Sequence, residues 1–450
     1  MKKKLSLSLF LLLQLCLQGY AQQADTLRLS LIEAVNLAVE QNPQLKSTQL
    51  NEEKNRYRIK EVKAAALPQL NGDATFTDNF QRATQILPGE VFGQPGTSVA
   101  VQFGTQYQMG VTAQASQVLF DPSLIVGIRA AKESQGLYEL QTFQTKEDLI
   151  YNVVNIYMQL QMVEKQQELV KGNIDRMQQL IYITNEQFKE GIIKKVDVEQ
   201  LKVNNTNLLT QLSNANNTYV QLINNLKTLM SVPASQPVAI TEVGADPIPV
   251  LQQLNLEANT ELALLDYQMN LQRLNTKNIQ AGYLPKLSLI ANYGWQGQTN
   301  ELFETGQTQG FKSGLYGLQL SIPIFDGFAK RSRVVQSNIE LRQLELNKQY
   351  LASNITNEFV TARNNVLQNQ RVQEAQQENM KVAEELYQVA KLSYTEGIAP
   401  LSELINAENG LKEAQTQYLT AMLQMNLAEL DLMQSSGQLS QIIKETSPVK

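Results

Sequence analysis

One hydrophobic register runs without a slip from Leu149 to Phe188. It takes Leu149, Val153, Ile156, Leu160, Val163, Gln167, Val170, Ile174, Met177, Ile181, Thr184 and Phe188, in steps alternating between four and three residues. That spacing is the seam of a helix packed by coiled-coil rules, and such a helix needs partners. The register returns later in the chain as Ile355, Phe359, Ala362, Val366, Asn369, Gln373, Gln376, Met380, Ala383, Tyr387, Ala390 and Tyr394. Both seams end alike, in Phe188-Lys-Glu-Gly191-Ile192 and Tyr394-Thr-Glu-Gly397-Ile398. A second helix is expected after each glycine, with Leu201, Leu208, Ala215 and Leu226 matched by Ala407, Ala414, Ala421 and Leu432. An offset held over two consecutive helices implies an internal duplication.

Ahead of each long helix the period changes from helical to alternating. Leu70, Gly72, Ala74, Phe76 and Phe80 share one side, and Tyr107, Met109, Val111, Ala113 and Ala115 share one side of a second segment. The other copy repeats this with Leu287, Leu289, Ala291, Tyr293 and Trp295, then Tyr316, Leu318, Leu320, Ile322 and Ile324. The opposite positions are Gln, Asn, Ser and Thr, which suits a wall between an apolar and a watery side. Four strands cannot close a barrel, for which about eight is the minimum. A membrane-spanning reading therefore forces an oligomer, because open edges cannot face lipid. Trp295 and Tyr293 fit an interfacial aromatic belt or any half-buried strand.

The predicted order begins with a signal peptide over 1–21, which is basic at Lys2 to Lys4 and apolar from Leu5 to Leu17. The first repeat covers 22–230: a short helix opened by the capping box Ser30-Leu-Ile-Glu33, a helix restarted at Asn42-Pro43, strands at about 67–80 and 104–120, and a helical hairpin over 123–230. Residues 81–102 read as a loop, and Asp121 with Pro122 as a helix start. A proline-bearing linker over 231–254 cannot continue a helix. The second repeat covers 255–437, with strands at about 284–298 and 312–325 and a hairpin over 327–436, and a tail follows over 438–450. Each long helix would extend on the order of 100 Å at 1.5 Å per residue. No globular core requires that reach.

Composition narrows the chemistry. The 450 residues are 43% hydrophobic and 18% charged, with pI near 5.3, which excludes a disordered chain and a nucleic-acid binder by charge. There is no histidine, so the commonest general base and metal ligand are missing. Cys16, the sole cysteine, falls in the apolar leader and lacks a small residue just before it, so neither a disulfide nor a lipid anchor is expected. After residue 21 no apolar run is long enough for a transmembrane helix. Catalytic residues, cofactor and metal are each expected to be none.

The duplicated strand–strand–long-helix units, the proline-ended helices at Leu67-Pro68 and Leu284-Pro285, Phe120-Asp121 and Phe325-Asp326, and Gly-Ile at each helical turn resemble the TolC family of outer-membrane efflux ducts. The likeness spans roughly Leu29 to Gly437. It implies a mainly α fold with a β-barrel part: a homotrimer with a twelve-stranded barrel in the outer membrane of a Gram-negative bacterium, continued by a twelve-helix periplasmic tube. It further implies a periplasmic adaptor (membrane fusion protein), an inner-membrane transporter and outer-membrane lipid as partners. The function implied is a passive exit duct for efflux or type I secretion, not an enzyme.

By the same resemblance Gly191, Ile192, Gly397 and Ile398 lie where adaptor tips dock. Asp197 and Glu403, each six positions after its glycine, are the candidate periplasmic gate, where carboxylate rings would attract cations. Some family members carry a further acid three positions later in the second copy, where this chain has Asn406. Plainer roles stand beside these: the glycines end helices, and the acids favour a helix dipole. The rival readings of the whole chain are a soluble periplasmic coiled-coil scaffold or adaptor and, with no motif behind it, a secreted carboxylate-dependent hydrolase.

Overall fold

A computed structural model of the chain describes residues 26–241, 253–301 and 309–439. The signal peptide with Cys16, linker residues 242–252 and nearly all of the tail lie outside them. Seven helices and eight strands are described: β1 (Leu27–Leu29), α1 (Leu31–Gln41), α2 (Pro43–Ala64), β2 (Gln69–Asp78), β3 (Thr84–Pro88), β4 (Ser98–Gln102), β5 (Tyr107–Phe120), α3 (Pro122–Lys189), α4 (Lys195–Met230), β6 (Val238–Ile240), α5 (Thr260–Ala281), β7 (Lys286–Thr299), β8 (Gln309–Ser321), α6 (Ala329–Thr395) and α7 (Leu401–Ser435). The fold is mainly α with a β part. Two compact units divide it, residues 1–50, 139–264 and 348–450 in one and 51–138 with 265–347 in the other. The units do not follow the duplication, since each draws on both copies.

The first unit holds the cores. One gathers Ala34, Val35 and Ala38 of α1, Leu149, Val153, Tyr157 and Leu160 of α3, Ile223 and Leu226 of α4, and Leu430 and Met433 of α7. Strands β1 and β6 close it as a parallel pair, Leu29 opposite Ile240. The sequence gives no warning of either strand, because three residues are too few to display a period. Tyr157 Oη stands 2.8 Å from the Thr241 carbonyl and 3.0 Å from that of Leu29, so its one proton ties α3 to both strands in alternation. The capping box forms as expected: Ser30 Oγ accepts from Glu33 N–H, and Glu33 accepts from Ser30 N–H at 2.8 Å. Asn42 Oδ1 caps α2 by accepting from Gln44 and Leu45.

The second unit is built differently. Its four-stranded antiparallel sheet has the order β2-β5-β7-β8. Leu70, Ala115, Ala291 and Tyr316 stand in one cross-strand row, and Ala74, Val111, Trp295 and Lys312 in another. The alternation thus aligns into one apolar face across all four strands. Polar contacts link the helices here. Buried Asn55 of α2 donates to Gln135 of α3 and accepts from Ser134. Thr276 of α5 bonds Ser337 of α6 at 2.7 Å, both buried.

Three details depart from the sequence reading. The expected loop over 81–102 contains a hairpin of β3 and β4 around a short 3-10 turn at Gly89–Phe92. Strand β8 ends at Ser321 rather than near 325. Helix α6 begins at Ala329 rather than at 327, because Gly327 and Phe328 both take left-handed φ, +66° and +68°. Asp326 still caps, accepting from Lys330 N–H at 3.1 Å, as Asp121 accepts from Ser123 N–H at 2.9 Å.

Candidate functional site: the helical tips

Both helical hairpins, α3–α4 and α6–α7, turn on the same device. Gly191 has φ +74° and Gly397 φ +71°, the left-handed conformation that a Cβ disfavours. Gly191 N–H donates to Phe188 O and Ile192 N–H to Gln187 O; Gly397 N–H donates to Tyr394 O and Ile398 N–H to Ser393 O. These are Schellman caps, which satisfy the last carbonyls of each long helix. No atom lies within 4 Å of a Cβ built on either glycine, so conformation rather than crowding requires them. The caps push Ile192 and Ile398 outward, 70% and 80% exposed.

The two acids differ in their surroundings. Asp197 is half-buried in the first turn of α4, at the third helical position, and accepts from the N–H of the N-cap Lys194 at 3.2 Å. Its charge also reaches Tyr394 of α6, whose phenol is pushed up by burial first and by that carboxylate second. Glu403 sits exposed in the first turn of α7. Among the described residues it makes no side-chain hydrogen bond or ion pair, and no contact joins it to Asp197 in one chain.

Two links between hairpins escaped the sequence reading. Tyr394 Oη donates to Gln187 Oε1 at 2.5 Å, joining α6 to α3. Farther from the turns, Arg176 of α3 lies with Nε 3.5 Å from Glu408 Oε1 of α7 and its guanidinium 5.5 Å from the Tyr387 ring of α6. Buried Asn173 accepts from the same guanidinium. Glu408 is only 6% exposed, and burial pushes its carboxyl up against the opposing pull of Arg176. Seam residues Ile174, Met177, Leu201 and Tyr387 join Leu404 in one buried apolar cluster. Among the described residues no acidic or sulfur-bearing group assembles a metal site, and no helix is long and apolar enough to cross a membrane.

A family model for outer membrane efflux proteins matches residues 34–232 and 251–438, one stretch for each copy. The chain belongs to that family. Among curated relatives of this efflux protein, the alkaline protease secretion protein AprF of Pseudomonas aeruginosa is 21% identical over 414 residues, covering 88% of this chain and 83% of the relative. The outer membrane protein TolC of Vibrio cholerae is 20% identical over 422 residues, covering 92% and 91%. The solved CmeC outer membrane channel of Campylobacter jejuni superposes with a TM-score of 0.72 at 17% identity, over 92% of this chain and 88% of that one. VceC of Vibrio cholerae gives 0.71 at 16%, over 90% and 96%. The efflux protein therefore shares the fold of these channels along almost its whole length.

Proposed function

We propose that the protein is the outer-membrane exit duct of a tripartite efflux or type I secretion system, working passively as a homotrimer. One observation carries the reading: the sheet has an exposed apolar face and two unpaired edges, β2 and β8. Lipid tolerates the face but not the edges, so three copies closing edge to edge into a twelve-stranded barrel satisfy both. The helices supply the second support. Leu346, Tyr350, Leu386, Val389 and Leu392 of α6 are exposed in the single chain, where neighbouring copies would cover them. The names of the relatives span protease secretion and antibiotic efflux, the two cargo classes such a duct serves.

In this reading Ile192 and Ile398 meet a periplasmic adaptor, which in turn joins an inner-membrane transporter that supplies the energy. Asp197 and Glu403 each form a ring of three carboxylates near the periplasmic opening. The chain itself catalyses nothing. Two measurements test the proposal. The particle extracted from outer membranes by detergent is expected at three times the mature chain's mass and to conduct in planar bilayers, whereas a water-soluble monomer would overturn it in favour of the scaffold reading. Asp197→Ala with Glu403→Ala is expected to raise conductance and relieve block by divalent cations, and unchanged block would remove the acidic gate alone.

A further inference from the structure

The apolar face of the sheet is not uniform. Two successive rows, Leu70–Ala115–Ala291–Tyr316 and Gly72–Ala113–Tyr293–Gly314, carry mostly small side chains in the middle strands. They leave a trough of about 360 Å³, floored by Ala113, Ala115, Ala291 and Gly314 and walled by Leu70, Tyr293 and Tyr316. The Tyr293 ring lies across Gly314, where a Cβ would stand 3.1 Å from Cδ2, so the glycine is what lets the ring lie flat. The next row toward the hairpin ends is Ala74–Val111–Trp295–Lys312. Trp295 leans away from the trough, its Nε1 2.6 Å from a Cβ built on Gly310.

Lys312 is the anomaly. Along this face the only other charged residue is Asp78, at the rim of the far edge strand. Among the described residues Lys312 has no carboxylate partner. A lysine on a lipid-facing surface is costly unless its ammonium reaches the interface or meets an anion. It stands three residues, about 10 Å, from the first residue of β8 and one row from the trough.

Building on the duct reading, we propose that this face holds a membrane lipid bearing an anionic phosphate, its acyl chain in the trough and its phosphate on Lys312. Direction supports the assignment. The strand ends at Gln69, Phe120, Lys286 and Ser321 lead into the helices, so the ends at Asp78, Tyr107, Thr299 and Gln309 face the opposite side of the membrane. The charge lies nearer those ends and the trough nearer the middle of the strands. That is the polarity of a lipid in the leaflet remote from the helices. The indole of Trp295, opposite Lys312, sits at the depth where an amphipathic ring meets headgroups.

Native mass spectrometry of the full-length detergent-extracted particle tests this, with phosphatidic acid and diacylglycerol of the same chains as probes. Wild type is expected to retain phosphatidic acid at least tenfold better than diacylglycerol, at up to one molecule per chain. Lys312→Gln should abolish that preference and Lys312→Arg keep it, while Ala113→Leu, filling the trough, should weaken both probes together. Planar-bilayer conductance checks that each variant is assembled. A conducting Lys312→Gln particle that still prefers phosphatidic acid overturns the lipid site and leaves the duct standing. A water-soluble monomer overturns both.

Discussion

Arg176 and Glu408 show how one buried pair is balanced against its own desolvation. The Glu408 carboxyl titrates above its ordinary value because burial outweighs the pull of Arg176, with Glu384 adding repulsion and Lys412 a weaker attraction. A carboxylate raised in the folded state contributes stability that is fully present below its unfolded pKa and is lost as pH rises through the folded value. Arg176→Met removes the attraction and the stacking on Tyr387, so the folded pKa climbs further and the loss at neutral pH deepens. The expected cost is about 3 kcal/mol near neutrality, the usual result of leaving one buried charge unpaired. Apparent unfolding midpoints should show the deficit shrinking as pH falls from about 8 to about 5. An equal deficit at both pH values would mean that Arg176 matters through its packed stem. Polar residues inside an apolar stripe read as solvated in one dimension, which is why this pair was invisible in the sequence. The turn glycines were legible because a left-handed cap leaves its mark on residue type. Gly191 and Gly397 take the left-handed φ at the two turns, and Asp197 accepts from Lys194 N–H in the first turn of α4.

At the scale of elements, the seams were readable over the stretch where the helices pack by apolar contact. Their first residues, Leu149 and Ile355, lie close to where the first unit takes over α3 and α6. In the second unit the same helices pack through Asn55, Ser134, Thr276 and Ser337, which carry no hydrophobic period. The start of α6 was misplaced for a related reason, since two consecutive left-handed residues follow Asp326 where the first copy has a proline. Close backbone approach leaves a subtler mark. A Cβ on Gly136 of α3 would fall 2.5 Å from the Tyr267 ring of α5, so the ring occupies the place of a side chain. Gly136→Ala gains about 1 kcal/mol of helix propensity but displaces the ring, and the two nearly cancel. Gly136→Leu gains no more and displaces far more, costing about 2 kcal/mol. Tyr267→Ala in the Gly136→Leu background should recover most of that loss, as measured by chemical unfolding in a double-mutant cycle. Additive losses would show that the leucine acts elsewhere.

Closure is the property of the whole molecule on which the duct depends, and the absence of thiols after Cys16 makes it directly testable. In the order β2-β5-β7-β8 the two edge strands are antiparallel, so β8 of one copy can accept β2 of the next and continue the alternation around a ring. Within one chain the edges are three strand spacings apart, about 14 Å, well beyond the roughly 7 Å between Cα atoms that a disulfide tolerates. A cysteine at Asp73 of β2, paired in turn with one at Phe311, Ser313 or Leu315 of β8, can therefore cross-link only between copies. These positions alternate with the trough's floor residues; Leu315 alone among them also borders the trough, so the Phe311 and Ser313 pairs leave the proposed lipid site untouched. For the pair in register, oxidation in isolated membranes should yield dimer and trimer bands and no higher species, because the third bond closes the ring. Each single-cysteine variant should stay monomeric on the same gel, its thiols being held a full protomer apart. A ladder running past three would mean open edge-to-edge association. Monomer alone for every pair would leave β2 and β8 unpaired, an arrangement that lipid does not permit.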